Sequence, residues 1–205
     1  MAIEGTMTEE LRTRREPPPP RKLHRCPGWA APFMANPRRR LLENPEKLLS
    51  PWVKPGMTIL DVGCATGFFS LPLARMTGEK GRVLCVDVEP RMMRGLVRRA
   101  TKAGLIDRIE PILCGEDDLG LPDHEGTVDF AVAIHTLHEL SDIEHGLRQI
   151  AAALKPGGRL LVIEPRGHVS DATWGHELET ARHLGLEVGR KLDLRRRHAV
   201  LLDKP

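Results

Sequence analysis

From Met57 onward, apolar runs of strand length alternate with stretches of helical periodicity, and this alternation restricts the fold more than any other feature of the chain. MTILDV, RVLCVDV, IEPILC, VDFAVAI and RLLVIEP read as buried strands. Between them, FFSLPLARM, EPRMMRGLVRRATKAGL and SDIEHGLRQIAAALKPGG read as helices. In the second, Met92, Met93, Leu96, Val97 and Ala100 share one face. In the third, Ile143, Leu147, Ile150, Ala151 and Leu154 do, Ser141 and Glu144 fit a capping box, and Pro156-Gly157-Gly158 stops the helix. ATWGHELETARHLG follows as a last helix, and LEVGRKL and HAVLLDK fit a terminal hairpin. Such alternation builds parallel βαβ units, so the expected fold is α/β, a doubly wound sheet covered on both faces.

Sheets of this kind bind ligands outside the carboxyl ends of their strands, which selects the loops after Val62, Val86, Cys114, Ile134 and Ile163. The first of these loops is glycine-rich and opens on an acid, DVGCATG. A dinucleotide site wants GxGxxG there, with pyrophosphate on the helix N-terminus. Gly63 and Gly67 do not match that spacing, and Asp61 repels phosphate, so a dehydrogenase is disfavoured. The turn suits a ligand that lacks phosphate and carries positive charge. S-adenosylmethionine, with an ammonium and a sulfonium, is such a ligand. Asp61 then assists binding directly or through water, and the backbone of Gly63, Cys64, Ala65, Thr66 and Gly67 approaches the amino-acid tail. Asp87, ending strand two beside Val88, is placed to accept both ribose hydroxyls. Glu116 and Asp117 fall near the adenine edge, and Ile134 beside the methionine portion.

The segments DVGCATG, VLCVDVEPRMM, CGEDDLGLP, VDFAVAIHTLHEL and LKPGGRLLVIEP resemble the successive motifs of class I S-adenosylmethionine-dependent methyltransferases. The likeness is to the small-molecule type, similar to the enzymes of ubiquinone and menaquinone biosynthesis. It covers about Pro45 to Lys204. It implies a Rossmann-like, seven-stranded sheet, mostly parallel with an antiparallel C-terminal strand. It also implies S-adenosylmethionine as donor and methyl transfer by in-line displacement to a small-molecule acceptor. Two positions depart from the family pattern: Ala65 stands where a third glycine is usual, and Glu116 where Asp or Asn is usual.

The acceptor is less legible than the donor, because displacement at a sulfonium needs mainly proximity and orientation. The Asn/Asp-Pro-Pro-aromatic motif that accompanies methylation of base amines is replaced after strand four by IHTLHE, and no nucleophilic Pro-Cys is present. His135 follows strand four directly, His138 lies one helical turn on beside Glu139, and His168 follows strand five. His138 and Glu139 also read as ordinary capping or solvent-facing residues at a helix start. In the resembling fold strands four and five are adjacent, so all three histidines are expected to border the acceptor. His138 is the first choice for a base and His168 the second, with His135 shaping the site beside the donor. His135 and His138 are spaced for one helical face, but no third ligand is evident and no metal site is assigned. His24 and Cys26 lie in a segment that commonly closes over the acceptor in the resembling enzymes. A soft acceptor is conceivable there, although the cysteine-rich pattern of arsenite methyltransferases is not matched.

Charge separates the N-terminus from the rest. Residues 1–40 carry nine Lys/Arg against four Asp/Glu, and with a chain total of +3 this leaves −2 on the remaining 165 residues of the 205. A nucleic-acid enzyme more often has a basic face on the body itself. Residues 1–22, with PPPP at 17–20, read as a disordered arm, 23–54 as a helical cap, and 55–205 as the methyltransferase domain. Within the cap, Asn44-Pro45 fits an N-cap followed by proline at the first helical position. Arg195 to Arg197 read as a hairpin edge or turn. The unpaired spacing of Cys26, Cys64, Cys85 and Cys114 fits reduced thiols in a cytoplasmic protein. The chain shows neither a secretory h-region nor a span-length apolar run. The competing readings are an RNA or protein methyltransferase recruited by the basic arm, and a non-catalytic S-adenosylmethionine-binding module. Oligomeric state is not legible.

Overall fold

The computed structural model describes residues 43–205. The expectations for residues 1–42, among them the basic arm, His24 and Cys26, lie outside the described residues. In chain order the elements are α1 (Pro45–Leu49), β1 (Thr58–Val62), α2 (Ser70–Met76), β2 (Arg82–Asp87), α3 (Pro90–Lys102), β3 (Ile109–Leu113), β4 (Val128–Ile134), α4 (Ile143–Ala153), β5 (Leu154–Pro165), α5 (Asp171–His183), β6 (Glu187–Lys191) and β7 (Arg197–Asp203). They form one seven-stranded sheet in the order β3-β2-β1-β4-β5-β7-β6. The first five strands are mutually parallel; β7 runs antiparallel to β5, and β6 pairs antiparallel with β7. The expected doubly wound sheet and terminal hairpin are both present.

Why the site lies where it does follows from this order. The chain winds outward from β1 to β3, then returns to place β4 on the other side of β1. The strand order therefore reverses between β1 and β4, and a crevice opens at their carboxyl ends. Register brings Val62 beside Val86 on one side and beside Ala133 on the other, so the loops after β1, β2 and β4 leave the sheet together. At the far edge, Pro111 sits within β3, an edge strand that tolerates a missing amide donor.

Alternation along the central strands sends Ile59, Val83, Cys85, Phe130, Val132 and Leu161 to one face, under α1, α2 and α3. Leu60, Leu84, Ala131, Leu160, Val162 and Val200 go to the other, under α4 and α5. Leu49 and Val53 join the first core, so the described part of the N-terminal cap packs into the domain. Asn44 caps α1 as its sequence indicates, its Oδ1 accepting from the Lys47 amide at 3.0 Å.

Three local expectations are corrected. Val97 does not share the buried face of α3 but is 36% exposed, because Gly95 takes the close approach, resting on the Thr66 methyl. The cap of α4 is Asp142, whose Oδ1 accepts from the His145 amide at 2.9 Å. The Ser141 hydroxyl instead donates to the Glu116 carbonyl and pairs with Asp117 Oδ1, tying the loop after β3 to the start of α4. Finally, α4 ends at Ala153, ahead of Pro156-Gly157-Gly158, which turn within the stretch assigned to β5.

Candidate active site

A cavity of about 700 Å³ opens at the switch point, walled by the loops after β1, β2, β3, β4 and β5. Its first end is built by the glycine turn. The amides of Gly63 and Cys64 both donate to the Val86 carbonyl, at 2.9 and 3.0 Å, which pins the turn to the end of β2. Gly63 takes φ +71°, and a Cβ there would overlap the Thr136 side chain from the β4 loop, so glycine is needed for two strand-end loops to meet. Ala65 takes φ +47°, a left-handed conformation that strains any L residue with a Cβ. Its amide donates to Asp87 Oδ2 at 2.8 Å, while Asp87 Oδ1 accepts from the Glu89 amide at 2.9 Å. One carboxylate thus clamps the turn to the start of α3.

Of the residues expected around the donor, Gly63, Cys64, Ala65, Asp87, Val88, Glu116 and Ile134 stand on the wall. Asp61, Thr66, Gly67 and Asp117 do not. Asp61 lies behind the turn, 2% exposed, with its Oδ2 accepting from the Ser70 hydroxyl at 2.5 Å. Thr66 is buried against α3 and accepts from Arg99. Gly67 packs on Leu71 and Leu96, and Asp117 is engaged by Ser141.

Burial is the main cause that drives the Asp61 carboxyl up to about 7, with the Asp87 charge adding to it and the Ser70 hydroxyl opposing. Asp87 is raised as well, again mainly by burial. No cation among the described residues contributes to either shift. Among those residues this first end is therefore an acidic concavity without its own counter-charge. It favours a cationic ligand bearing hydroxyls and disfavours pyrophosphate. Burial also raises the Cys114 thiol to about 11, and the Cys85 thiol and burial raise Cys64, so both wall cysteines stay protonated at neutral pH.

The other end of the cavity carries the side chains. His135, His138 and His168 all line it, as do Glu139 and Arg197. His135 follows β4 in a left-handed conformation, φ +61°, with its amide donating to the Ile163 carbonyl at 2.7 Å. The His138 and His168 rings meet edge to face, centroids 5.5 Å apart. His138 Nδ1 lies 2.5 Å from Glu164 Oε2. Burial lowers the His138 pKa, but the Glu164 hydrogen bond and charge, with Glu139 and Glu177, raise it more. The Glu139 carboxyl is pushed up to about 7, chiefly by burial. Phe68 and Phe69, which follow the glycine turn and form a T-shaped pair at 5.0 Å, also stand on the cavity wall, as does Leu140.

Sequence reasoning passed over Glu164, which is completely buried at the end of β5. A signal was available: it ends an apolar strand just as Asp61 and Asp87 do. It also passed over the Arg197–Glu43 pair, at 2.6 Å, having read Arg197 only as part of a turn. Arg197 begins β7 and reaches the cavity wall beside His168 and Pro165. Among the described residues no helix is long and apolar enough to cross a membrane.

Residues 59–158 match the family model described as a methyltransferase domain. Among curated proteins, the chain is 33% identical over 112 residues to the ubiquinone/menaquinone biosynthesis C-methyltransferase UbiE of Enterobacter sp. (strain 638), covering 55% of this chain and 44% of that protein. The chain thus spans less than half the length of the curated relatives it matches. Among solved structures, a SAM dependent methyltransferase from Aquifex aeolicus superposes with a TM-score of 0.78 at 29% identity, covering 88% of this chain and 100% of that one. The [4+2]-cyclase SpnF superposes with a TM-score of 0.66 at 21% identity, covering 78% and 79%, a likeness of fold alone.

Proposed function

We propose that the chain is a class I S-adenosylmethionine-dependent methyltransferase, and that it methylates a small-molecule acceptor held at the histidine end of the switch-point cavity. The observation that carries this reading is one cavity whose wall joins the glycine turn and Asp87 to three imidazoles and two aromatic rings. About 700 Å³ is within the roughly 300–1,000 Å³ range of small-molecule sites.

S-adenosylmethionine supplies an activated methyl group on a sulfonium that leaves as a neutral thioether. The chain's own residues bind and orient. Asp87 and Glu116 offer carboxylates to hydroxyl and amine hydrogens, and the Gly63–Ala65 backbone sets how closely the ligand lies. Asp61, one layer behind, supplies negative charge through the turn. Phe68, Phe69 and Leu140 exclude water from the cavity, and His138 and His168 present the imidazoles expected to meet the acceptor. Orientation of this kind is the main demand of an in-line displacement.

The test has two arms. At a hundred times its dissociation constant, S-adenosylhomocysteine should stabilise the protein by about 2.7 kcal/mol, which for a chain of this size is a rise of about 5–11 °C in melting temperature, and NAD should give none. Purified protein is then incubated with methyl-labelled S-adenosylmethionine and, separately, a small-molecule extract, total RNA, or total protein. Label entering the extract fraction supports the reading. Label entering only RNA or protein replaces it with a macromolecular acceptor. Binding with no transfer to any fraction points to a protein of this fold with other chemistry, as the [4+2]-cyclase SpnF is.

A further inference from the structure

Among the described residues Glu164 is a fully buried carboxylate on the acceptor side, and each of its oxygens has a distinct task. Oε1 accepts from two backbone amides, Thr136 at 3.2 Å and Leu137 at 2.7 Å. These are the first residues of the loop after His135, so this oxygen holds the short turn that carries His138. Oε2 faces His138 Nδ1 at 2.5 Å. A carboxylate can only accept, so Nδ1 carries the ring's proton in the neutral imidazole. The lone pair is then on Nε2, the nitrogen left to meet a ligand in the cavity that His138 lines. A carboxylate that served only to fix the turn would be satisfied through Oε1. The second oxygen, aimed at the imidazole, selects a tautomer.

We infer that Glu164 is the positioning residue of a His138–Glu164 pair whose imidazole removes a proton from the acceptor, which assigns to this site acceptors whose attacking atom still bears that proton when bound. Weakly acidic hydroxyl or enol compounds fit that class; thiolates and free amines, which attack through a lone pair already present, do not need the pair. The inference rests on the methyltransferase reading above. In the step, the attacking atom forms its bond to the methyl carbon as the methyl–sulfur bond breaks. That bond's electrons stay on sulfur, giving the neutral thioether. The acceptor's proton passes to His138 Nε2, and the imidazolium so formed is paired with the Glu164 carboxylate until solvent takes the proton. The other groups around the ring support this direction: Glu139 beside it and Glu177 from α5 both raise the affinity of His138 for a proton. The His168 ring closes the remaining side edge-on.

Glu164→Gln is the decisive variant, because the amide oxygen can keep both backbone contacts while the amide nitrogen donates to Nδ1 and forces the proton onto Nε2. Nitrogen-15 NMR of the wild-type protein with S-adenosylhomocysteine should show His138 as the Nδ1–H tautomer, titrating above the ordinary value of about 6.5. In Glu164→Gln the tautomer should reverse and the pKa should fall. Labelled methyl transfer into the extract should rise with pH through the NMR-measured His138 pKa in wild type. Glu164→Gln should lose that limb and about 10²-fold or more of the rate, with donor affinity within about threefold. Should Glu164→Gln fail to fold, His138→Gln removes the base directly and should show the same loss. An Nε2–H tautomer in wild type overturns the inference. So does a rate indifferent to pH across the His138 titration, or a Glu164→Gln rate within threefold of wild type. Absence of any label in the extract defeats the small-molecule reading instead, and the tautomer and its reversal still decide the pair.

Discussion

At the first end of the cavity the polar work is done by backbone: amides of Gly63 and Cys64 on the Val86 carbonyl, and amides of Ala65 and Glu89 on Asp87. At the second end it is done by side chains: His138 on Glu164, Arg197 on Glu43, and His168 against His138. The two ends also differ in charge. The acids of the first, Asp61 and Asp87, are raised by burial with no cation among the causes. At the second, Glu164 and Glu43 face an imidazole and a guanidinium, while Glu139 is raised mainly by burial. Among the described residues the first end therefore lacks a cation that a ligand can supply, whereas the second pairs most of its acids within the protein and can be reshaped for different acceptors. A backbone-built end can be shared across a family; a side-chain-built end sets specificity.

The largest effect expected from this contrast is on stability. Asp61 holds its proton in the fold up to about 7 but releases it near 3.8 in the unfolded chain. Between those values the folded state binds the extra proton, so stability falls as pH climbs from about 4 to about 7 and stays lower above. Glu139, raised to about 7, acts in the same direction. His138, raised from 6.5, adds a further loss as pH rises through its folded value. Asp61→Asn keeps an acceptor for the Ser70 hydroxyl and removes the buried charge. At pH 8 it should raise unfolding free energy by up to about 4 kcal/mol, at about 1.4 kcal/mol per pKa unit, and flatten the pH dependence in urea melts. The same variant should bind S-adenosylmethionine more weakly, and methylthioadenosine, which lacks the ammonium, less affected. Equal weakening of both ligands would mean that Asp61 only supports the turn.

Next in size is Asp87→Ala, which removes the carboxylate that both joins the turn to α3 and faces the cavity. Calorimetry should show S-adenosylhomocysteine affinity reduced by about 1.5–3 kcal/mol, the range for hydrogen bonds to a charged group. Unchanged affinity in a folded variant would remove Asp87 from the donor site. The counterpart at the other end is His168→Ala. Its ring packs against the His138 ring at the end of β5, so donor affinity should stay within about threefold. A tenfold loss would show that the two ends are not separable.

This division also explains what could be read from the sequence. The glycine turn was legible because backbone conformation leaves a record in residue type: glycine at φ +71° and +82°, and an acid at the end of each of two strands. The capping of α1 by Asn44 was legible for the same reason. Glu164 was not recognised because an acid ending an apolar strand reads as solvated unless the loop that folds over it is known. Here the amides of Thr136 and Leu137 come from a different strand's end, 28 and 27 residues earlier in the chain. Arg197 was hidden similarly, since its partner Glu43 is 154 residues away. Ser141 was misread as a cap because it and Asp142 both satisfy the local pattern. Only the loop after β3, arriving to take the serine hydroxyl, decides between them.

The smallest effect tests the contrast most closely. Ala65 holds φ +47° where glycine would be free of strain, and its methyl is on the cavity wall. A left-handed L residue costs roughly 1–2 kcal/mol, which Ala65→Gly releases. Against that, glycine makes the unfolded chain more flexible, worth about 0.4–1 kcal/mol in the opposite direction. The net gain should be about 1 kcal/mol or less, seen as a rise in melting temperature of no more than about 4 °C. The Ala65 amide keeps its bond to Asp87, so if the donor end is made of backbone alone, S-adenosylhomocysteine affinity should hold or improve as the ligand lies closer. A loss of more than tenfold would mean that the methyl itself packs on the donor, and that this end, too, recognises its ligand through a side chain.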